Sequence, residues 1–388
     1  LLRVLETINL NTNLRNKPNL LQQAGANKLK KLGGVGKKLA KSVKSDVPLT
    51  SVGKTLRSRF SKLIALTESV NGKPAQLQRH LITLLELQRY LSDISVSADP
   101  GVAALNASIA RMKTNGKDVI GQLRRDSKRL PKPVNQWFKT ISSSSWQLLL
   151  TASRRQLNTE WDNQIVTDYD QSMKNRYPLF RNSTQETSLE DFSNFFAADG
   201  KYLQFLRQKI YPFLKISSRK WSLKKLNGQT IKFTRKTLKQ LSRGVAISNA
   251  FFPKNAEDIG VKFRLKPLFL DAKVKRFTLL LGDNKVTYRH GPARSQSLQW
   301  PFSEDPESNK VSMRFESSGN KTNTIFKGSW AIFKLLDAAK IKSTKSADKY
   351  QVTFTGDSYT AKYEFTTNSV NNPFNLPEIH AFRIPRKL

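Results

Sequence analysis

The chain has 388 residues, 38% of them hydrophobic, which allows two or three domains with ordinary buried cores and excludes a disordered protein. The absence of cysteine excludes disulfides, thiolate metal sites and cysteine nucleophiles. A formal net charge of +38 predicts attraction to polyanions, and the partner could be nucleic acid, anionic lipid or lipopolysaccharide, or an acidic protein surface.

Residues 1–45 form a basic segment that we interpret as an amphipathic linker or a partner-binding stretch. Between residues 28 and 44, leucine and lysine side chains recur at spacings typical of an amphipathic helix. Three glycines weaken a rigid helix, so both a solvated linker that orders against neighbouring subunits and a lipid-contacting helix stay open. The candidate protein contacts in this segment are Lys28, Lys31 and Lys38.

Two glycine-lysine stretches, at Gly36 and Gly53, have only a partial likeness to a phosphate-binding loop. Such a loop needs a further glycine five residues before the Gly-Lys pair, so that backbone N–H groups can surround the β-phosphate, and it follows a buried strand. Lys31 and Pro48 occupy that position in the two stretches. We therefore predict no nucleotide site and no other cofactor.

Residues 46–130 are predicted to form a helical bundle. Apolar side chains recur at helical spacing from Leu49 to Leu66, from Leu77 to Leu91 and from Val102 to Met112. The connections between these three helices are short, which favours antiparallel neighbours.

A second helical domain is predicted for residues 131–253. The break before its first helix is marked by Pro131 and Pro133, since two prolines one residue apart cannot lie inside a helix. In the long helix that follows, the apolar side chains from Leu157 to Met173 form an i,i+4 row.

Further along this domain, Ser188–Asp191 has the pattern of a capped helix start, before three phenylalanines that we assign to the core. Residues 201–250 are predicted to be helical with a basic interruption from Lys215 to Gln229, and the helical region ends at Phe251–Pro253. The domain boundary is placed near residue 253.

From residue 254 the apolar period changes to two, which predicts a β-rich domain over 254–388. Alternating runs on both sides of Thr355, Gly356, Asp357 and Ser358 predict a hairpin whose turn is a candidate protein contact, as is the stretch 317–324.

One segment of this domain, from Ser329 to about Ala339, has helical spacing and predicts a single packed helix. The fold class is therefore α+β, with an N-terminal helical bundle region followed by a C-terminal β-sandwich-like domain that carries one packed helix.

The residues predict no catalytic, metal or cofactor site and therefore no enzyme. His80, His290 and His380 lack metal-ligand spacing, and no serine lies in a Gly-x-Ser-x-Gly elbow. His290 is expected to fix a turn by hydrogen bonding. Asp271 and Asp337 each end an apolar run, where capping is the expected role.

No apolar run approaches the roughly 18–20 residues that cross a bilayer. Since the chain opens without Met at Leu1, we expect it to be a piece of a longer protein. It begins without a signal-peptide pattern, so a periplasmic location would require an upstream transmembrane helix.

Several short clusters occur in one order along the later two thirds of the chain. They are Arg154–Leu157, Arg176–Pro178, Ala250–Phe252, Val261–Pro267, Tyr288–Pro292, Trp300–Pro301, Gly328–Phe333, Asn372–Phe374 and Phe382–Pro385. The residues of these clusters and the order in which they occur resemble the C-terminal region of the IcmF/TssM family, which are inner-membrane proteins of bacterial secretion machines. The resemblance covers roughly residues 115–388, and no single cluster is diagnostic.

The resemblance implies a structural scaffold without a small-molecule substrate. Such proteins pair with an inner-membrane partner, TssL or its counterpart DotU, and their periplasmic part braces an envelope-spanning channel. The implied state is a homo-oligomer or multi-subunit assembly. In type VI systems the family's β-domain also docks an outer-membrane lipoprotein, TssJ, whereas in the type IVB (Dot/Icm) system IcmF works with DotU.

Two alternatives to this interpretation stay open, and a third hypothesis is an unrecognised hydrolase. The Lys/Asn-rich, strongly basic composition favours the type IVB setting over the type VI one and puts lipoprotein docking in doubt. A rival hypothesis from another class is a protein that binds polyanions, either nucleic acid or anionic lipid, although no RNP, KH or helix-turn-helix signature is present.

Overall fold

The computed structural model describes residues 51–68, 75–217, 220–253, 258–303, 305, 308–346, 348–367 and 372–388. The chain divides into two compact units, Leu1–Ala152 and Ser153–Leu388. The predicted contacts Lys28, Lys31 and Lys38 lie outside the described residues. Within the described ranges, none of the helices has both the length and the apolar character needed to span a membrane.

The described part of the first unit is helical, as predicted. Its helices are α1 Ser51–Thr67, α2 Gln76–Ser95, α3 Pro100–Lys113, α4 Val119–Ser127 and the start of α5 Val134–Trp161. Asp99 caps α3 by accepting a hydrogen bond from the Val102 amide at 2.9 Å. The sequence pattern did not predict α4, and α5 begins directly after Pro133.

The second unit begins with helices. After α5 come a π-helical turn Asp162–Val166, α6 Thr167–Ser172, α7 Leu189–Phe196, α8 Lys201–Phe205, a π-helical turn Leu206–Ile210, a 3-10 turn Tyr211–Phe213 and α9 Arg235–Phe251. The predicted row from Leu157 to Met173 is buried, although the π-turn interrupts the α-helix that carries it. Ser188 accepts a hydrogen bond from the Asp191 amide at 3.0 Å, which confirms the predicted cap.

One prediction for this region is incomplete. The basic interruption between residues 215 and 229 contains a small antiparallel hairpin, formed by β1 Leu214–Ile216 and β2 Trp221–Leu223. Strands of three residues are too short for an alternating pattern to stand out in the sequence.

The C-terminal part is a sandwich of two antiparallel sheets, which confirms the predicted fold class. Its strands are β3 Val261–Leu270, β4 Val274–Leu281, β5 Asn284–Tyr288, β6 Gln296–Trp300, β7 Val311–Ser317, β8 Lys321–Phe326, β9 Lys340–Ser343, β10 Lys349–Gly356 and β11 Tyr359–Thr367. They are ordered β6-β3-β11-β10-β9 in one sheet and β5-β4-β7-β8 in the other. The ring of Phe277 in one sheet lies 5.8 Å from Phe354 and 5.6 Å from Tyr363 in the other, so the two inner faces form one core.

The predicted packed helix is α10, Ala331–Ala338, which connects β8 with β9. Trp330, which precedes it, is fully buried and donates from Nε1 to the Thr187 carbonyl at 2.7 Å. Its ring centroid lies 5.0 Å from that of Phe192 in α7 and 5.2 Å from that of Trp300 in β6. Helices and sandwich of the second unit therefore share an aromatic core.

After a 3-10 turn Pro373–Asn375 and helix α11 Pro377–Ala381, the final residues return to the helical part of the second unit. Phe382 is fully buried, 5.5 Å from the Phe196 ring. The Trp161 indole donates to the Pro385 carbonyl at 2.7 Å, and Arg386 binds Asp170 through two hydrogen bonds of 2.6 and 2.9 Å.

Candidate protein-interaction surface at one end of the sandwich

The predicted contact turn joins β10 to β11. Gly356 pairs with Tyr359, so Asp357 and Ser358 form a two-residue hairpin loop. Asp357 has φ +49°, in the left-handed region that aspartate tolerates better than most residues. The side chains of Thr355, Asp357 and Ser358 are exposed.

The structure brings this turn against the β7–β8 turn, which lies within the other predicted contact stretch, 317–324. The Tyr359 hydroxyl donates to Ser317 Oγ at 3.0 Å. A Cβ atom added to Gly356 would lie 2.8 Å from the Phe315 ring, so only glycine permits this approach of the two sheets.

Two further loops complete this end of the sandwich. In the β3–β4 turn, the Asp271 amide donates to the Thr360 carbonyl at 3.0 Å, and Asp271 Oδ1 accepts from the Lys273 amide at 3.0 Å. After β5, His290 Nε2 lies 2.7 Å from the Val274 carbonyl, which confirms the predicted turn-fixing hydrogen bond. We call residues 271–273, 289–290, 318–320 and 355–358 the hairpin-end surface.

The hairpin-end surface consists of exposed, mainly polar turns on a fixed frame. Its exposed side chains are mostly small and polar, and its loops are held by the backbone hydrogen bonds of the strands that they connect. A rigid set of turns offers N–H and C=O groups to a partner at little cost in conformational entropy. Asp271 is engaged in its own turn and forms no carboxylate pair there that could move protons.

The prediction that Asp337 caps a chain segment is wrong. It lies in α10, where its Oδ2 accepts a 2.8 Å hydrogen bond from the Tyr177 hydroxyl and its Oδ1 lies 3.1 Å from His380 Nε2. His380 Nδ1 in turn lies 2.8 Å from the Pro178 carbonyl. Sequence reasoning missed this cluster because its members are more than 40 residues apart, and only the fold brings them together.

The electrostatics of this cluster are those of a structural joint. Burial raises the pKa of the Asp337 carboxyl, but hydrogen bonds from His380 and Tyr177 outweigh burial, so that this pKa lies below its usual range. Burial and the Asp337 charge raise the pKa of the Tyr177 hydroxyl. Both ring nitrogens of His380 lie within hydrogen-bond distance of oxygen atoms of the protein, which fixes the orientation of the ring.

The described residues include no group of three or more His, Cys, Asp or Glu side chains that could hold a metal ion. His80 lies 3.4 Å from Asp126, as a pair within the first unit. A cavity of about 500 Å³ beside α6 is lined mostly by amide and lysine side chains, among them Asn163, Gln171 and Lys201.

Two family models match this chain. The type VI secretion protein IcmF helical domain matches residues 152–257, and the type VI secretion protein IcmF C2-like domain matches residues 263–369. The matches follow the helical part and the sandwich of the second unit.

A curated relative is the type VI secretion system component TssM1 of Pseudomonas aeruginosa, 28% identical over 335 residues. The match covers 86% of this chain and 30% of that protein, so the chain spans less than a third of the relative's length.

Three solved structures share the fold. A chain of a type VI secretion system membrane core complex has a TM-score of 0.71 at 22% identity, covering 86% of this chain and 70% of that one. A chain of a type VI membrane complex has a TM-score of 0.67 at 20% identity, with 93% and 69% covered. The C-terminal domain of TssM from EAEC has a TM-score of 0.55 at 22% identity, with 61% and 98% covered.

Proposed function

Because this chain belongs to the IcmF/TssM family, we propose that it is a structural component of a type VI secretion membrane complex and not an enzyme. The observation that carries the proposal is the match of both family domains, in order, to the helices and the sandwich of one compact unit. All the matches described above carry type VI names, so the proposal takes this system and not the type IVB setting that composition favoured.

The construction of the second unit supports a scaffolding role. A scaffold must hold its contact surfaces in fixed orientation, and this one joins its sandwich to its helices through buried aromatic side chains. Trp330 anchors the joint from the sandwich side, and Phe192 and Phe251 anchor it from the helical side. A large apolar joint of this kind disfavours hinge motion between the two parts.

We propose further that the segment is periplasmic, delivered by an inner-membrane anchor elsewhere in the protein. Its partners would be a TssL-like inner-membrane protein, other channel subunits and an outer-membrane lipoprotein. The likeness to a chain of a type VI secretion system membrane core complex supports a multi-subunit assembly. The hairpin-end surface is our candidate contact, with Thr355, Gly356, Asp357 and Ser358 at its centre.

The test is affinity purification of the tagged full-length native protein from solubilised envelopes, with Asp357→Lys as the interface variant. The matched control is Asp283→Lys, which alters an exposed aspartate in the β4–β5 turn at the opposite end of the sandwich. We expect Asp357→Lys to lower the recovery of at least one envelope partner about tenfold or more, since a lysine at a packed contact costs over 1.4 kcal/mol. The control should retain all partners.

Two outcomes would contradict the proposal in different ways. If the native protein recovers no envelope proteins, the proposed scaffold role is wrong. If both variants recover envelope partners equally, the scaffold role stands, but the hairpin-end surface is not the contact.

A further inference from the structure

The outer face of the five-stranded sheet is strongly basic. On β3, the alternation that points Phe263 and Leu265 into the core points Lys262, Arg264 and Lys266 outward, and all three are exposed. They follow one another along a single strand without an acidic residue between them.

Strand register extends this row into a grid. Lys266 lies opposite Glu364 of β11, which lies opposite Gln351 of β10, which lies opposite Lys342 of β9. The next row runs from Phe269 through Lys362 and Thr353 to Lys340. Since neighbouring strands are about 4.8 Å apart, the grid extends about 15 Å from β3 to β9.

The charges on this grid are almost all of one sign. With Lys349 of β10, whose partner opposite is Thr366, the described outward-facing residues include seven cations, and Glu364 is the single carboxylate among them. Glu364 lies 3.9 Å from Lys349, too loosely to neutralise the face. We call this the basic sheet face.

Two adjacent apolar side chains border the basic sheet face. The register between β3 and β11 shifts at Lys362/Tyr363, which leaves Leu268 as an extra residue in β3. As a result Leu268 and Phe269 are both exposed, each by 45%, instead of alternating between core and solvent. The Lys362 ammonium lies 5.3 Å from the centroid of the Phe269 ring.

We propose that the basic sheet face binds the surface of a phospholipid bilayer that contains anionic lipid. In this arrangement lysine and arginine side chains contact headgroup phosphates, while Leu268 and Phe269 enter the boundary between headgroups and acyl chains. This combination of a cationic surface and a small apolar projection is what binding at a membrane interface requires. The proposal goes beyond the scaffold role and would bring the sandwich against a membrane.

A bilayer fits this face better than nucleic acid or an acidic protein. Single-stranded nucleic acid is bound by several aromatic side chains that stack on bases, and the described outer face presents one, Phe269. A specific protein contact has an apolar centre and a polar rim. Here the apolar pair lies at one border, and the middle strands β11 and β10 present polar and charged side chains, namely Glu364, Gln351, Lys362 and Thr353. The ammonium group of lysine is carried on a long, flexible side chain, so it can follow headgroup phosphates that diffuse within the bilayer.

The first test measures binding of the whole 388-residue chain to phosphatidylcholine vesicles with and without phosphatidylglycerol, by sedimentation. The variant Lys262→Gln/Arg264→Gln/Lys266→Gln removes three charges from the basic sheet face. The matched control Lys285→Gln/Arg314→Gln/Lys321→Gln removes two lysines and one arginine, all exposed, from the outer face of the four-stranded sheet.

We expect the first variant to bind phosphatidylglycerol vesicles about 100-fold more weakly, from about 1 kcal/mol for each basic residue near the surface. The control variant should lose less than tenfold in affinity for these vesicles. The difference in affinity between the two variants should shrink as the salt concentration rises. Equal losses in the two variants, or binding of the native chain that does not depend on phosphatidylglycerol, would overturn the proposal. So would a preference of the same face for DNA over vesicles in a competition experiment.

The second test locates the apolar pair. Because the chain has no cysteine, Leu268→Cys places one environment-sensitive fluorophore at the projection, and Thr287→Cys places the control on the opposite outer face. The label at residue 268 should shift to shorter wavelength on phosphatidylglycerol vesicles and the label at residue 287 should not. Equal shifts would contradict the assigned orientation. Both tests use lipid alone, so their failure leaves the purification experiment above unaffected.

Discussion

At the scale of single residues, the carboxylate of Asp337 joins segments that are far apart in the chain. It contacts Tyr177, which precedes α7, and His380 in α11. Because its pKa is lower in the folded protein than in the unfolded chain, its contribution to stability is fully present above the unfolded pKa of about 3.9. That contribution is lost as the pH falls through the folded pKa.

We therefore expect Asp337→Asn to lower the free energy of unfolding near neutral pH by about 1–3 kcal/mol, the contribution of hydrogen bonds to a charged group. The difference from the native chain should be constant above the unfolded pKa of about 3.9 and should shrink as the pH falls below it. Urea unfolding followed by tryptophan fluorescence over a pH series measures it. The exposed Asp283→Asn is the control, and a difference that does not depend on pH would show that the charge of Asp337 contributes nothing.

A second residue-scale prediction concerns Gly356 in the hairpin-end surface. Gly356→Val should destabilise the sandwich by about 1–3 kcal/mol, because its Cβ atom would be pressed against the Phe315 ring and force the two turns apart. Gly291→Ala is the control, since a Cβ atom there meets nothing within 4 Å. Thermal unfolding compares the two variants. Equal unfolding midpoints would show that the close approach of Gly356 to the Phe315 ring is not needed for stability.

At the scale of elements, the connection between β8 and α10 determines how the sandwich meets the helices. Trp330→Ala should cost about 3–5 kcal/mol, since it empties a fully buried site in contact with Phe192 and Trp300. Trp137→Ala is the matched control, because that side chain is 59% exposed. Chemical denaturation gives both values, and similar losses would contradict the role of the aromatic joint.

At the scale of the whole molecule, the second unit should unfold as one cooperative body. Its helices and sandwich share a core, so we expect residues 153–388 to show a single thermal transition with the same midpoint for helical and aromatic circular-dichroism signals. Residues 258–388 alone would expose Trp300 and Trp330, and we expect this fragment to be less stable or to aggregate. Two separate transitions in the longer fragment would contradict this expectation.

The sequence by itself determined the succession of helical and β-rich regions, although not α4 or the β1–β2 hairpin. Proline pairs, capping patterns and the change from helical to two-residue apolar spacing are local signals, so the start of α5, the cap at Ser188, the end of α9 and the β10–β11 turn could all be predicted. The sequence also determined the family resemblance, because that resemblance rests on ordered local clusters. The predicted boundary near residue 253 stays a prediction, as do the contacts at Lys28, Lys31 and Lys38.

Only the tertiary structure decided which distant residues meet. The contacts of Asp337 with Tyr177 and His380, and the approach of the β7–β8 turn to the β10–β11 turn, depend on sheet order and packing, which leave no periodic signal in the chain. The basic sheet face likewise depends on how the strands are ordered and paired. Its lysines are scattered over about 100 residues in the sequence, and antiparallel register alone places them side by side on one surface.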